Sequence, residues 1–193
     1  MVEAYRRSLV LHLYQQALME ERVQTEISNE EVDSFYRLRP DVYRLEYPLA
    51  KGLYIKVPLK GKDVNKVRQW YTRTDQESVE KLEKYSLQHA VDYHYFYNQW
   101  TRIDEVVKKM PVNVSDVSAY VKKFSEIEVK DTAFYYFLHI DSLLVVGDLK
   151  PVEYAAGEIR EALLNARQMD FMKQMRDQLY KEAQEDGDVT YYY

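Results

Sequence analysis

The sequence lacks cysteine entirely and has little glycine or proline, with five of each among 193 residues. Without cysteine the chain forms no disulfide, no thiolate metal site and no cysteine nucleophile. Five scattered glycines argue against a glycine-rich phosphate-binding loop. No apolar run approaches the roughly 18 residues of a membrane span, and the N-terminus lacks the basic and then apolar layout of a secretory signal. The composition, 46% hydrophobic and 31% charged, is that of an ordered, helix-rich protein.

Basic residues are not concentrated in one part of the chain. The sequence has 27 Lys and Arg residues and 32 Asp and Glu residues. The net charge of −5, with both signs interspersed, argues against a nucleic-acid partner. No nucleophile or nucleotide-binding motif occurs, so neither a hydrolase nor a transferase is supported and no cofactor is expected. The four histidines fall on different predicted elements, so we expect no metal site. They are His12, His89, His94 and His139.

Helices are predicted at the N-terminal end of the chain. Residues 2–24 contain neither glycine nor proline and place Leu9 and Leu13 on one side of a helix. That side is broad and apolar, so it is expected to be buried against a large partner surface. The Ser28–Glu31 segment forms a capping box, which predicts a second helix over 29–38.

The longest predicted element closes the chain. After Pro151, which suits a first helical position, apolar residues follow helical steps for about thirty residues, and Gly187 is expected to end the helix. Met169, Met172 and Met175 recur on this helix. Methionine at such spacing is more often part of a core, although it also lines adaptable binding surfaces. Both interpretations stay open.

Two segments in the middle read as strands. Alternation over 46–57 between bracketing prolines indicates the first, and the aromatic and β-branched segment 132–146 indicates the second. Fifteen residues is long for one strand, so a bend is expected near Asp141–Ser142. The segment 92–97 is either a strand or an aromatic extension of the preceding helix, because its periodicity does not decide.

Shorter helices are predicted between the two strands. One runs over 63–70 and one over 100–110. Thr74 is expected to cap a helix that runs to His89, and Asn113 or Ser115 to cap another.

This order of elements predicts an α+β protein. Neither terminal helix is stable alone with so much apolar surface, so the two should pack together. They would form a discontinuous helical domain from residues 1–45 and 148–193. Residues 46–147 then become an inserted domain around a small antiparallel sheet, with its first and last strands side by side.

Tyrosine is the most unusual component of the sequence, with 19 residues. Aromatic side chains gather in the inserted domain, where they favour strands and sheet cores in any case. The functional interpretation is a groove that grips apolar and aromatic segments of another chain, since tyrosine gives contact area at low entropic cost. The candidate peptide-binding residues are Tyr93, Tyr95, Tyr97, Trp100, Met110, Phe134 and Tyr135.

The layout of the whole chain resembles the SurA-like family of periplasmic folding factors. The stretch SNEEVDSFY at 28–36 is similar to that family's acidic helix after the first long helix, and ALLNARQMDFMKQMRDQLYKEA at 162–183 is similar to its closing helix. In this family a helical chaperone domain carries a parvulin-type, PpiC-like peptidyl-prolyl isomerase domain. Tyrosine-rich versions resemble folding-factor lipoproteins of Bacteroides-type bacteria. The resemblance implies a periplasmic or cell-envelope location, with a leader encoded upstream of Met1 and a membrane link only through a lipid anchor outside this chain.

The parvulin part of this resemblance departs from its pattern at the catalytic positions. Parvulins carry a histidine in the first strand and another in the last, where this chain has Tyr54 and Tyr135. Their Gly-Gly-Asp-Leu-Gly stretch has no counterpart between Pro58 and Asp131. Isomerisation requires a pocket that favours a twisted amide, and a tyrosine pair is bulkier than an imidazole pair. Weak or absent isomerase activity is therefore expected.

Three functions follow from the residues and the resemblance. The leading one is a cell-envelope chaperone that binds unfolded or aromatic-rich polypeptides, with outer-membrane proteins as one class of client. A parvulin-type prolyl isomerase is the enzymatic alternative. A helical scaffold that binds one fixed partner is the third.

Overall fold

The computed structural model describes residues 2–185. The chain divides into two compact units, a helical unit of Met1–Pro40 with Pro151–Tyr193 and a sheet unit of Asp41–Lys150. The predicted α+β class, the small antiparallel sheet and the long C-terminal helix are confirmed. Gly187, the predicted end of that helix, lies outside the described residues.

The secondary structure comprises seven helices and five strands within the described residues. In chain order they are α1 (Val2–Arg22), α2 (Asn29–Leu38), β1 (Leu49–Pro58), α3 (Val64–Trp70), α4 (Gln76–His89), β2 (Asp92–Tyr95), β3 (Thr101–Arg102), α5 (Ile103–Lys108), α6 (Val117–Lys123), β4 (Glu126–Lys130), β5 (Phe134–Leu144) and α7 (Val152–Glu185).

In the helical unit, α2 packs on α7 through an apolar contact and begins at the predicted capping box. The Glu31 backbone N–H donates to Ser28 Oγ at 3.2 Å, and the Ser28 N–H donates to Glu31 Oε2 at 2.9 Å. Both bonds satisfy amides that a helix start leaves without partners. Val32 of α2 and Ala155 and Ile159 of α7 are buried and form the core of this unit.

Arg167 of α7 fastens the connection between α1 and α2. Its guanidinium donates to the carbonyl oxygens of Gln24 at 3.0 Å and Glu26 at 2.9 Å, and it also pairs with the Glu31 carboxylate. This pairing and the Ser28 amide hydrogen bond lower the pKa of Glu31. One arginine thus holds three points of the connection against α7.

The apolar side of α1 is not buried, contrary to expectation. Leu9 is 45% exposed and Leu13 is 55% exposed, and Tyr14 beside them is exposed as well. α1 contacts α7, but in the described part of the chain this apolar side remains open to solvent.

The sheet unit is built on one antiparallel sheet in the order β2-β1-β5-β4, and β3 pairs with the start of β1. The first and last predicted strands, β1 and β5, lie side by side as expected. Because side chains alternate along a strand, β1 presents residues to both faces of the sheet. Leu53, Ile55 and Val57 pack under α3 and α4, whereas Tyr54 packs on the opposite face with α5 and α6.

A β-bulge bends β5 near the predicted position. Lys51 pairs with Ser142 and Gly52 with Ile140, so Asp141 is the extra residue. Gly52 is required there because a Cβ atom would lie 2.0 Å from the His139 carbonyl oxygen.

Several local predictions in the sheet unit were wrong or incomplete. α4 is capped by Asp75 rather than Thr74, and α6 by Asp116 rather than Asn113 or Ser115. In each case the aspartate stands directly before the first turn of the helix, so its carboxylate accepts a hydrogen bond from a backbone N–H of that turn.

In three further segments the structure decides between alternatives or departs from the prediction. The ambiguous segment 92–97 forms β2 and then turns, so it is not a helix extension. The helix predicted over 100–110 is shorter, because β3 takes its first residues. Strand β4 was not predicted, since it is short and has charged residues at alternate positions.

The two ends of the sheet unit are joined by backbone hydrogen bonds. The Leu45 N–H donates to the Asp148 carbonyl at 2.9 Å, and the Lys150 N–H donates to the Tyr43 carbonyl at 2.7 Å. The chain therefore enters and leaves this unit at neighbouring points.

Candidate functional site

Tyr54, the first of the two tyrosines that the resemblance to parvulins singled out, lies in β1 and is completely buried. It packs in a cluster that includes Phe96, Met110 and Leu138. Its hydroxyl has no hydrogen-bond partner among the described residues, and burial raises its pKa well above the usual value. The Tyr54 ring is therefore part of the core of the sheet unit and closed to solvent.

Tyr135, the second of these tyrosines, lies on the opposite face of the sheet from Tyr54. Tyr54 pairs with Leu138, whereas Tyr135 pairs with Val57, three residues further along β1. An odd separation along a strand reverses the face, so the structure does not bring the two tyrosines together. Tyr136, one residue further along β5, shares the face of Tyr54.

Tyr136 and Phe134 form a polar and aromatic corner on that face. The Tyr136 hydroxyl donates to Asp131 Oδ2 at 2.6 Å, which raises the pKa of Tyr136 to about 12 and lowers that of Asp131. The Lys56 ammonium lies 4.2 Å from the centre of the Phe134 ring and 5.1 Å from that of Tyr136. Phe134, a predicted peptide-binding residue, is thus half-buried and covered by a cation of the same chain.

The tyrosines at 93, 95 and 97 lie on the face that Tyr135 shares. All are half-buried, and burial raises the pKa of Tyr93 to about 12 and raises that of Tyr97 further. The Tyr97 hydroxyl and His139 Nδ1 share a hydrogen bond of 2.5 Å. Burial lowers the pKa of His139, so the ring is neutral at pH 7.

The other two predicted binding residues are dispersed. Trp100 is half-buried, with the Lys51 ammonium 4.8 Å from its ring centre. Met110 is 5% exposed and lies in the Tyr54 cluster. The predicted peptide-binding residues therefore do not form one groove. Tyr93, Tyr95, Tyr97 and Tyr135 lie on one face of the sheet, and Met110 and Phe134 lie on the other.

An open groove of about 1060 Å³ lies in the helical unit, between α1 and α7. We call it the methionine groove, because Met169, Met172 and Met175 of α7 line it together with Leu179. Gln15 of α1 closes one side. Lys173 and Arg176 also line the groove and give it two basic groups, and Asp170 adds one carboxylate.

The methionine groove was only half anticipated from the sequence. The three methionines were recognised as a series, but their helical spacing favoured a core interpretation. Met169 is 73% exposed, so for this residue the core interpretation is wrong. Spacing shows which residues share a side of a helix, whereas only the packing shows whether another helix covers that side.

No cluster of three or more His, Asp or Glu side chains that could hold a metal ion occurs within residues 2–185. In that same range, no helix is both long and apolar enough to cross a membrane.

Comparison with known proteins gives a loose structural likeness. No protein-family model matches the sequence, and no curated protein matches it. Among solved structures, the chain is similar to one described with the virulence factor PEB4 and the periplasmic protein Cj1289, two structurally related SurA-like chaperones of Campylobacter jejuni. The alignment covers 100% of this chain and 73% of that chain, with 11% identity and a TM-score of 0.37. A likeness of this size establishes neither a shared fold nor a shared function.

Proposed function

We propose that this protein is a folding factor that binds unfolded polypeptide segments rich in apolar and aromatic side chains. The observation that carries the proposal is the methionine groove, in a unit whose helix α1 also leaves apolar side chains uncovered. Met172 and Met175 line the groove, and Leu9 and Leu13 are about half exposed on α1. Exposed apolar surface of this kind is typical of interaction sites.

The chemistry of the groove suits a chaperone better than a receptor for one ligand. Methionine is unbranched and polarisable, so it adapts to side chains of different shape. Lys173 and Arg176 add basic groups that can pair with acidic residues next to an apolar segment. In this proposal the half-buried tyrosines Tyr93 and Tyr95 of the sheet unit serve as a secondary contact for the same clients.

The proposed location is the periplasm or cell envelope, with unfolded outer-membrane proteins as one class of client. This part of the proposal rests on the resemblance of the acidic second helix and the closing helix to SurA-like factors.

Prolyl isomerase activity is proposed to be weak or lost. Catalysis would require access to the position of Tyr54, which is fully buried, and Tyr135 lies on the other face of the sheet. A protease-coupled assay with an X-Pro peptide tests this directly. Robust catalysis that disappears in the Tyr54→Phe variant would contradict the proposed loss.

The chaperone proposal is tested by diluting an unfolded outer-membrane protein out of urea and following light scattering. We expect the wild-type protein to suppress aggregation. The Met172→Glu variant should bind the client at least about tenfold more weakly, because a charge replaces an apolar contact. Gln174→Glu is the matched control, since it adds the same charge to an exposed position of α7 outside the groove lining.

Two results would reject the proposal. Absence of suppression at several-fold molar excess would leave the fixed-partner scaffold as the better hypothesis. Equal loss of binding in Met172→Glu and Gln174→Glu would show that the groove is not the binding site.

A further inference from the structure

The methionines of this protein occupy sharply different environments. Met169 is 73% exposed, and Met172 and Met175 are half-buried along the same groove. Met110 is 5% exposed in the core of the sheet unit. Met19 of α1 is also half-buried but lies outside this groove. The most exposed thioether within residues 2–185 and two half-buried ones therefore lie together at the groove proposed to bind clients.

The sequence contains no sulfur that would compete for an oxidant as a thiol. Cysteine thiolates usually react first with peroxides, and this chain has no cysteine at any position. Methionine then becomes the main sulfur target of two-electron oxidants, and exposure determines which methionine reacts first.

We propose that Met169, Met172 and Met175 form an oxidation-sensitive site, at which conversion to methionine sulfoxide reduces binding in the methionine groove. The oxidant is a hydroperoxide or hypohalous acid. With hydrogen peroxide, the thioether sulfur attacks one oxygen, the O–O bond breaks and an S–O bond forms. Sulfur loses two electrons, and the departing hydroxide takes the proton of the transferred hydroxyl to give water.

The product changes the groove without changing its backbone. A sulfoxide is a polar, chiral group with a strong hydrogen-bond acceptor, whereas a thioether is apolar. An apolar client segment that covers this oxygen leaves it without a partner, which weakens binding. The reaction is reversible, because methionine sulfoxide reductases restore the thioether. This regulation rests on the proposed function of the groove.

The first experiment treats the full chain with graded hydrogen peroxide and follows each methionine by peptide mass spectrometry. Among the methionines of residues 2–185, Met169 is expected to oxidise first, the half-buried Met19, Met172 and Met175 next and Met110 last. Oxidation of Met110 as fast as that of Met172 and Met175 would overturn the proposal. This readout needs no client and no variant, so it stands even if the chaperone function fails.

The second experiment measures binding before and after oxidation, with an apolar fluorescent dye and with an unfolded outer-membrane protein as separate probes. In the wild-type protein, oxidation should weaken the binding of the dye and the binding of the client at least about tenfold. The triple variant with Met169→Leu, Met172→Leu and Met175→Leu conserves side-chain volume and apolarity. It should therefore bind both probes like the wild-type protein, and peroxide should not change that binding.

The two probes separate the two proposals. If the client binds neither the untreated nor the oxidised protein, the chaperone proposal fails, and the dye still decides the effect of oxidation on the groove. Unchanged dye binding in oxidised wild type, or an equal loss in the triple leucine variant, would overturn the oxidation site.

Discussion

The sheet unit and the helical unit differ in how much of their apolar side-chain surface forms a buried core. In the sheet unit both faces of β1 are covered, and aromatic residues such as Tyr54 and Phe137 are completely buried. In the helical unit, α1 leaves Leu9 and Leu13 exposed, and α7 exposes Met169. Aromatic density therefore marks the core of the sheet unit, whereas exposed apolar side chains of the helical unit belong to the surface that we propose for binding.

The largest expected effect contrasts one core residue of the sheet unit with one exposed apolar residue of α1. Phe137→Ala should lower the free energy of unfolding by about 3–5 kcal/mol, because it removes a fully buried ring. The centre of that ring lies 5.0 Å from the centre of the Tyr71 ring. Leu13→Ala should change stability by less than about 0.5 kcal/mol, since the side chain is already exposed. Urea denaturation measures both.

The two tryptophans make this contrast measurable unit by unit. Trp70 and Trp100 both lie in the sheet unit, so their fluorescence reports that unit alone, whereas far-UV circular dichroism follows the long helices. A loss of several kcal/mol in Leu13→Ala would show that α1 is buried in solution and would end the distinction between the units.

The next effect concerns the capping box of α2. Ser28→Ala should cost about 1 kcal/mol, because the first turn of the helix loses its side-chain acceptor. Helical circular dichroism during urea unfolding should show the shift, whereas tryptophan fluorescence should not. Ser28→Asp is the control that keeps an acceptor; an equal loss in both variants would argue that the cap contributes nothing.

A smaller effect, of opposite sign, is expected at Tyr54. Removing its buried hydroxyl in Tyr54→Phe should raise stability by about 0.5–1 kcal/mol, since that group has no partner to lose. Tyr136→Phe is the matched control on the same face and should lower stability, because its hydroxyl bonds to Asp131. Tryptophan fluorescence in urea distinguishes the two. Destabilisation by Tyr54→Phe would mean that the hydroxyl is satisfied.

The smallest effect is a pH dependence at His139. Burial lowers the pKa of this ring below its ordinary value of 6.5, so the unfolded chain takes up the proton more readily than the folded one. Stability is therefore complete above about pH 6.5 and is lost as the pH falls from there towards the folded pKa. Tyr97, Glu126 and Asp141 face the ring, and the two acids limit the loss.

The measurement is thermal unfolding between pH 5 and pH 7.5. His139→Gln keeps an acceptor for the Tyr97 hydroxyl and should flatten this part of the profile. An unchanged slope in the variant would assign the pH dependence to other groups.

The sequence predicted elements whose signals are local. The capping box at Ser28 and Glu31, the alternation of β1 and the helical period of α7 each specify structure within a few residues, and all three are found. The bend in β5 was also located, because a strand of such length must deviate from regularity.

Features that depend on pairing could not be predicted in the same way. A shift of one residue in the pairing of β5 with β1 decides whether Tyr135 or Tyr136 lies on the same face as Tyr54. The sequence of one strand does not determine that pairing. The exposure of Leu13 and Met169 depends on which helix packs where, and period alone assigns both to a core. The sequence therefore indicated an apolar and aromatic binding surface and assigned it mainly to the sheet unit, which stays a prediction, whereas the methionine groove that we propose lies in the helical unit.

The joined ends of the sheet unit also bear on synthesis of the protein. Residues 41–150 form a continuous unit that can fold as soon as it leaves the ribosome. α2, by contrast, must wait for α7, which is made only after those 110 residues. At about 5–20 residues per second, the first two helices remain without their partner for roughly 5–20 seconds. During each round of translation, the first two helices of the protein that we propose to protect unfolded chains therefore themselves lack the helix they pack on.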